Sequence, residues 1–187
     1  MLSTERDQPS RESQTPAGPV FDEPVHLERH AQLGVLAARL IQDINEASRL
    51  YYRLILVVAP SRRGKTRLLQ EAHRLTGAPL LNVNLDLSRR MLDLTGCQRM
   101  LQLPRLLSEI VDQCQSDVVL LDNTEILFDA TFKQDPLRLL QGISRNKTIV
   151  TAWNGSVIDG YLSYAAPEHR EYRRYPVRDF LVVSPEF

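Results

Sequence analysis

The sequence predicts an α/β domain with a parallel sheet of about five strands. Apolar segments of strand length recur near residues 54, 80, 118, 148 and 180, and helical periodicity separates most of them. A Gly-Lys-Thr turn follows the first segment, and polar residues end two others, at Asp122 and Asn154. These three features all fall at the carboxyl ends of predicted strands, where parallel α/β sheets bind their ligands.

The first strand, Leu54–Val58, is a run of apolar residues rich in β-branched types, which is typical of a strand buried on both faces. The next segment, Ala59–Thr66, reads APSRRGKT and fits the phosphate-binding pattern G-x-x-x-x-G-K-[ST], with Ala in the first position. A helix over about 65–76 follows, so strand, loop and helix come in the order that the motif requires. The alternative is an ordinary strand–turn–helix connection that carries Gly-Lys-Thr by chance.

The loop pattern predicts a nucleotide site with Mg²⁺. Lys65 would reach the β- and γ-phosphates, the Thr66 hydroxyl would bind Mg²⁺, and Gly64 would allow close backbone approach. Ala59 departs from the motif and is tolerable if its φ stays negative. The predicted nucleotide-binding residues are Ala59, Pro60, Ser61, Arg62, Arg63, Gly64, Lys65, Thr66 and Arg67.

The segment Asp117–Asp122 predicts a buried strand that ends in a carboxylate. Asp122 is expected to order Mg²⁺ beside Thr66, as the Walker B aspartate does in phosphate-loop enzymes. The alternative is a helix N-cap, because Asp122–Glu125 also fits a capping box. Asn123 follows where many such ATPases carry a Glu, and it cannot accept a proton from water. Glu125 is either the catalytic substitute or the N3 residue of that capping box.

A fourth strand, Thr148–Trp153, ends in Asn154-Gly155. Asn154 is a candidate for contact with the γ-phosphate or the attacking water, like the sensor residue of related ATPases. The alternative is that Asn154 belongs to a tight Asn-Gly turn. The predicted catalytic set is thus Lys65, Asp122, Glu125 and Asn154.

The predicted strands suit the RecA/AAA-like (ASCE) division of P-loop NTPases, with expected strand order 5-1-4-3-2. One strand separates the loop strand from the Asp122 strand in sequence, and we expect no C-terminal helical lid domain. Asn146–Ile149 lacks the Asp of the guanine-reading N-K-x-D pattern, so ATP is favoured over GTP.

Outside these motifs, residues 1–24 are predicted to be a disordered tail, and residues 25–187 to be the domain. An amphipathic helix is predicted over about 26–50, a second strand over 80–85, and a helix over about 104–115 with Pro104 in its first turn. Residues 155–179 are predicted to be a long polar loop.

Three interpretations of this predicted loop compete. Arg173 or Arg174 could act as an arginine finger on a neighbouring subunit. Alternatively, Arg170, Arg173, Arg174 and Arg178 could contact DNA together with the tyrosines. The third interpretation is a solvated face whose tyrosines pack on the sheet edge.

Net charge and the length of apolar runs bear on whether the protein binds nucleic acid or a membrane. The chain has 23 basic and 23 acidic residues, so its net charge gives no argument for nucleic-acid or membrane binding. No apolar run approaches the roughly 20 residues needed to span a bilayer, and no signal peptide is evident. We therefore expect a cytoplasmic protein without membrane contact.

Five segments resemble the BrxF family, the small P-loop proteins of type 3 bacteriophage-exclusion (BREX) systems. The similarity runs from about Leu54 to the C-terminus, and the residues that carry it are Asn82–Arg90, Val119–Phe128, Lys133–Leu140, Ala152–Gly155 and Tyr172–Pro176. The resemblance implies an ATP-binding component of a complex that acts on phage DNA and modifies host DNA. It covers the loop and Asp122, but it assigns no role to the later arginines.

The first functional hypothesis is therefore an ATPase or ATP-dependent assembly switch in anti-phage defence, which associates with itself or with other BREX proteins. A small-molecule or nucleotide kinase is the second hypothesis. A DNA-binding adaptor with a structural nucleotide is the third.

Overall fold

The computed structural model describes residues 23–185, with side chains from residue 31 onward. The predicted disordered tail lies outside the described residues over 1–22. Residues 23 and 24 were also assigned to that tail, but they begin the first helix, α1, which spans Glu23–Ala47. The helix predicted over 26–50 is confirmed with ends about three residues earlier, which is the usual error of boundary predictions.

The remaining helices and strands follow in chain order. They are β1 (Leu54–Ala59), α2 (Lys65–Thr76), β2 (Leu80–Asn82), α3 (Val83–Arg90), α4 (Gly96–Asp112), β3 (Val118–Asp122), α5 (Pro136–Ile143), β4 (Thr148–Ile158), β5 (Tyr161–Tyr164), β6 (Arg173–Pro176) and β7 (Leu181–Val183). Two short 3₁₀ turns, Glu125–Phe128 and Ala130–Phe132, lie between β3 and α5.

The α/β class with a parallel sheet is confirmed. Five parallel strands lie in the order β2-β3-β4-β1-β7. When these five are numbered by chain order and taken from the other edge, the order is 5-1-4-3-2. Two further strands, β5 and β6, extend β4 as an antiparallel ribbon, so the sheet has seven strands in all.

Helices cover both faces of the sheet. On one face, α1 and α2 form an apolar cluster with side chains such as Leu40, Leu68 and Leu69. On the other face, α3, α4 and α5 pack with Trp153 and Phe128. Every residue of β1 is buried, as its continuous apolar run predicted.

The second predicted strand is too long. It was expected over 80–85 but ends at Asn82, whose Oδ1 accepts a hydrogen bond from the backbone of Leu85 across 3.0 Å. This N-cap starts α3 at Val83, because a side-chain acceptor satisfies a free amide of the first helical turn. Asn84 is therefore a helical residue.

The helix predicted over 104–115 begins much earlier, at Gly96, after a capping box formed by Thr95 and Gln98. Pro104 thus lies inside α4 and not in its first turn, and it cannot donate to the carbonyl of Met100. The side chain of Gln134 donates to that carbonyl instead, at 3.1 Å from Nε2 to O. Gln134, which is distant in sequence, therefore supplies the hydrogen bond to the Met100 carbonyl that Pro104 cannot donate.

The long loop predicted over 155–179 is wrong for about half of its length. β4 continues to Ile158, and Asp159 and Gly160 turn the chain into β5 with φ values of 51° and 75°. Two positive φ values are what a two-residue β-hairpin turn requires. Buried Tyr164 of this ribbon stacks on Phe128, with ring centroids 3.5 Å apart. Tyr164 is thus a buried strand residue that packs on the 3₁₀ turn containing Phe128, whereas the third interpretation placed the tyrosines on the sheet edge of a solvated face.

Within the described part of the chain, no helix has the length and apolar character to cross a membrane.

Candidate functional site

A cleft of about 940 Å³ opens at the carboxyl ends of β1, β3 and β4. Its volume is at the upper end of the range usual for small-molecule sites. Of the predicted site residues, the cleft brings together Ser61, Arg62, Arg63, Gly64, Lys65, Thr66, Arg67, Asp122, Glu125 and Asn154. Ala59 and Pro60 complete the loop through their backbone carbonyls.

The loop from Ala59 to Thr66 joins β1 to α2 through two residues of positive φ. Arg62 has φ 63° and Gly64 has φ 77°, and Gly64 directly precedes the helix. Ala59 has no positive φ, so its β-carbon causes no backbone strain at the first motif position. The departure from the glycine pattern is accommodated.

Lys65 is the buried cation of the site, with 7% of its surface exposed. Its Nζ donates to the carbonyl oxygens of Ala59 and Pro60, each at 2.7 Å. Burial lowers the pKa of this ammonium, and the negative charges of Glu125 and Asp122 oppose that shift. The cation and both carboxylates therefore lie within electrostatic reach of one another in one cleft.

Asp122 ends β3 with a side chain that is 7% exposed. It is not a helix cap, because the 3₁₀ turn that follows has Thr124 at its N-cap position with no side-chain capping bond. The Thr124 hydroxyl donates to the carbonyl of Ala152 on β4, at 2.9 Å. The capping-box alternative is thus wrong, and Asp122 lines the cleft.

Glu125 is held through both carboxylate oxygens. Asn154 Nδ2 donates to Oε1 at 2.5 Å, and Asn84 Nδ2 donates to Oε2 at 3.4 Å. Glu125 opens the 3₁₀ turn and does not occupy the N3 position of a capping box, so that alternative for it is wrong too. Two amide donors on one carboxylate fix its orientation toward the cleft while leaving other lone pairs free for a ligand.

Asn154 lies beside Ala59 in the parallel register of β4 and β1. The strand does not end there, because Gly155 continues it and pairs with Tyr164 in the antiparallel ribbon. The tight-turn alternative for Asn154 is therefore wrong. Its position next to the loop follows from the sheet and does not depend on a flexible turn.

The sequence prediction missed Asn84. Its Oδ1 accepts from the backbone of Ile126 at 2.8 Å, and its backbone N–H donates to the carbonyl of Asn123 at 2.9 Å. Together with the bond to Glu125, these contacts fasten the start of α3 to the turn after β3. The signal for α3 was the capping asparagine at Asn82, which should have ended the predicted strand there and placed Asn84 in the first turn of a helix.

The later arginines lie away from the cleft. None of Arg170, Arg173, Arg174 and Arg178 lines it. The Arg174 guanidinium sits 3.8 Å from the ring centroid of Tyr161, and Arg170 lies 4.0 Å from the Glu171 carboxylate. Contact with DNA or with a neighbour's nucleotide through these arginines stays a prediction.

The donor set of the cleft fits Mg²⁺. The Thr66 hydroxyl and the Asp122 carboxylate are hard oxygen ligands, and both line the cleft beside Lys65. Mg²⁺ binds through one or two protein oxygens and completes its shell with water and phosphate oxygens. Across residues 31–185, no group of three or more His, Cys, Asp or Glu side chains forms an all-protein metal site.

No family model matches the sequence, and neither does any curated protein. Among solved structures, a chain from the structure of C. elegans PCH-2 matches with a TM-score of 0.36 and 20% identity. The match covers 75% of this chain and 40% of that one. At this TM-score the likeness carries no argument about the site.

Proposed function

We propose that this protein is a P-loop NTPase of the RecA/AAA-like division, which binds ATP with Mg²⁺ and hydrolyses it or uses it as an assembly switch. One observation carries the proposal. Lys65, Thr66, Asp122, Glu125 and Asn154 come from three strand ends and line a single cleft. A buried cation, two oxygen ligands for a metal and an oriented carboxylate are the parts that phosphoryl-transfer sites combine.

Each side chain then has a role that its contacts support. The Lys65 ammonium binds the β- and γ-phosphates, exchanging its loop carbonyl acceptors for phosphate oxygens. Thr66 and Asp122 hold Mg²⁺, which when bound neutralises charge on the phosphate oxygens. Glu125, fixed by two amides, accepts a proton from the attacking water at its carboxylate. Asn154 orients Glu125 and lies at the γ-phosphate end of the loop.

The strand order supports an ATPase over a kinase. β4 lies between β1 and β3, so the loop strand and the Asp122 strand are not neighbours. In the nucleotide-kinase division of P-loop proteins, those two strands usually lie side by side. The resemblance to BrxF in segments such as Val119–Phe128 supports a place in an anti-phage defence complex, with other BREX proteins or further copies of this chain as partners.

The experiment is to measure Mg²⁺-ATP binding and hydrolysis for the wild type and for Lys65→Ala. We expect the substitution to abolish both, because it removes the only ammonium that lines the described cleft. Arg49→Ala is the matched control, since it also removes one positive charge, at an exposed residue beyond the end of α1. ATP affinity that survives Lys65→Ala would contradict the proposal.

A further inference from the structure

The cleft extends beyond the residues of the phosphate loop. It continues from Lys65 along one face of α2 as far as Arg74, and Leu33 of α1 lines it as well. The α2 residues on this face, Arg67, Gln70 and Arg74, recur at helical spacing. Over the residues from Lys65 to Arg74 the helix rises about 13 Å, at about 1.5 Å per residue. The site thus has a second part, which the triphosphate roles do not use.

One wall of this second part is apolar. Leu33 is half-buried and packs against the core cluster formed by α1, α2 and the sheet. It is the one large apolar side chain among the described residues that line the cleft. Such a wall has no use for a phosphate, but it suits the face of a purine base.

A second part of the lining is flat and polar. Arg74 donates from Nε and Nη2 to the two carboxylate oxygens of Glu71, at 2.9 Å and 2.7 Å. A bidentate guanidinium–carboxylate pair is planar, and guanidinium planes stack on aromatic rings. Both residues line the cleft, so the pair adds a flat guanidinium–carboxylate group to its lining.

Gln70 also lines the cleft and offers an exposed side-chain amide. An amide side chain can both donate to and accept from adenine in a bidentate pair, whereas guanine favours a bidentate Arg. The guanidinium of Arg74 already makes its bidentate hydrogen bonds to Glu71. Arg67 belongs to the predicted phosphate-binding segment beside Lys65. Gln70 is therefore the side chain next to the Arg74–Glu71 pair that is left to read a base, and its amide matches adenine.

We propose that α1 and α2 form an adenosine subsite, in which the base lies between Leu33 and the Arg74–Glu71 pair and Gln70 reads its edge. This inference rests on the proposed ATP site at the loop. It gives α1 a part in ligand binding, and it makes Leu33, Gln70 and Arg74 the residues that set base specificity.

The test compares the affinity of ATP with that of inorganic tripolyphosphate, which carries the phosphates without the nucleoside. Both probes are measured with Mg²⁺ on the full chain. We expect the wild type to bind ATP at least about tenfold more tightly than tripolyphosphate, a difference that corresponds to about 1.4 kcal/mol. Leu33→Asp and Arg74→Lys should each remove most of that preference, and Arg74→Lys should leave tripolyphosphate affinity unchanged. Arg74→Lys keeps the charge and removes the flat face.

Val35→Asp is the matched control for Leu33→Asp, because Val35 lies on the same helix, is 71% exposed and does not line the cleft. It should keep the wild-type preference. Gln70→Leu should lower the ratio of ATP to GTP affinity.

The adenosine subsite is overturned if Arg74→Lys retains the wild-type preference for ATP, or if the wild type binds both probes equally. Arg74 is exposed, so this variant decides the question even where Leu33→Asp fails to fold. A wild type that binds neither probe instead contradicts the loop site on which the subsite depends.

Discussion

Asn154 donates a hydrogen bond to Glu125 across 2.5 Å, and this contact joins the last β4 residue that pairs with β1 to the turn after β3. Asn154 lies in register with Ala59 of the loop strand, so the bond also places the Glu125 carboxylate at the loop. The residue after the strand-ending Asp122 cannot act as a base, because it is Asn123. The chain turns there with φ 53°, and the carboxylate that lines the cleft comes three positions after Asp122.

Glu125→Gln should abolish ATP turnover while leaving Mg²⁺-ATP binding intact. The amide keeps the size of the side chain but cannot accept a proton, and losing a general base costs about 10²–10⁴-fold in rate. Steady-state hydrolysis and equilibrium binding measured side by side separate the two effects. Glu168→Gln, at an exposed position outside the cleft, is the control and should retain full turnover. Undiminished hydrolysis in Glu125→Gln would assign the proton to another group.

Asn84→Ala should lower turnover with little change in ATP affinity, because Asn84 touches Glu125 and does not line the cleft. It should also lower the free energy of unfolding by about 1–3 kcal/mol, since the backbone N–H of Ile126 loses its acceptor. Turnover is measured well below the melting temperature, so that lost stability does not lower the active fraction. Asn45→Ala, on an exposed face of α1, is the control for both measurements.

A fall in ATP affinity as large as the fall in turnover would show that Asn84 contributes to the loop itself and not to the orientation of Glu125. In that case the amide would be part of the binding surface.

Gly155→Ala should destabilise the ribbon formed by β4, β5 and β6. A β-carbon at Gly155 would lie 1.8 Å from the backbone oxygen of Ser163 and 3.2 Å from Trp153 Nε1. Those two atoms already share a hydrogen bond of 2.9 Å, so neither can move freely. We expect a loss of about 1–3 kcal/mol in unfolding free energy, as for other overpacked sites.

Gly142→Ala is the matched control, because a β-carbon there meets nothing within 4 Å. That substitution in α5 should stabilise the protein by a few tenths to about 1 kcal/mol, since alanine loses less backbone entropy in a helix. Equal effects of the two substitutions on urea unfolding would refute the close approach at Gly155.

The parts of the fold that local sequence predicts well are those where one segment carries its own signal. The apolar runs of β1 and β3 can only be buried strands in a chain of this class, and the loop motif fixes which strand end binds anions. The same reasoning placed Asp122 and Asn154 at one edge of the sheet. Their meeting with Lys65 in one cleft follows from parallel pairing alone.

Most of the parts that were missed depend on contacts between distant segments. Pro104 favours a helix start, yet Gln134 supplies the donor that allows it inside α4. Asp159-Gly160, flanked by Val157-Ile158 and Tyr161-Leu162, is a local hairpin signal that the loop prediction overlooked, and Tyr164 of the ribbon stacks on the distant Phe128. Asn84 was assigned to a strand because its partners, Glu125 and Ile126, are far away in sequence.

The ribbon also gives the protein a sensitivity to alkaline pH. Burial raises the pKa of Tyr164 from 10.0 to about 12, and the charges of Glu171 and Glu125 add to that shift. The folded chain thus keeps a proton at Tyr164 that the unfolded chain loses above about pH 10. The stability that this neutral phenol contributes is complete below pH 10 and is lost as the pH rises from 10 toward 12.

Tyr164→Phe should remove that loss, because phenylalanine has no proton to release. The difference in unfolding free energy between wild type and variant should shift in favour of the variant between pH 10 and 12, by at most about 1.4 kcal/mol per pH unit. Urea unfolding at pH 8, 10 and 11 measures it. Tyr51→Phe, at a ring that is 71% exposed, is the control and should leave the pH dependence unchanged. If the difference between wild type and Tyr164→Phe is constant with pH, Tyr164 does not stay protonated in the folded ribbon, and its phenol is not shielded from water beside Phe128.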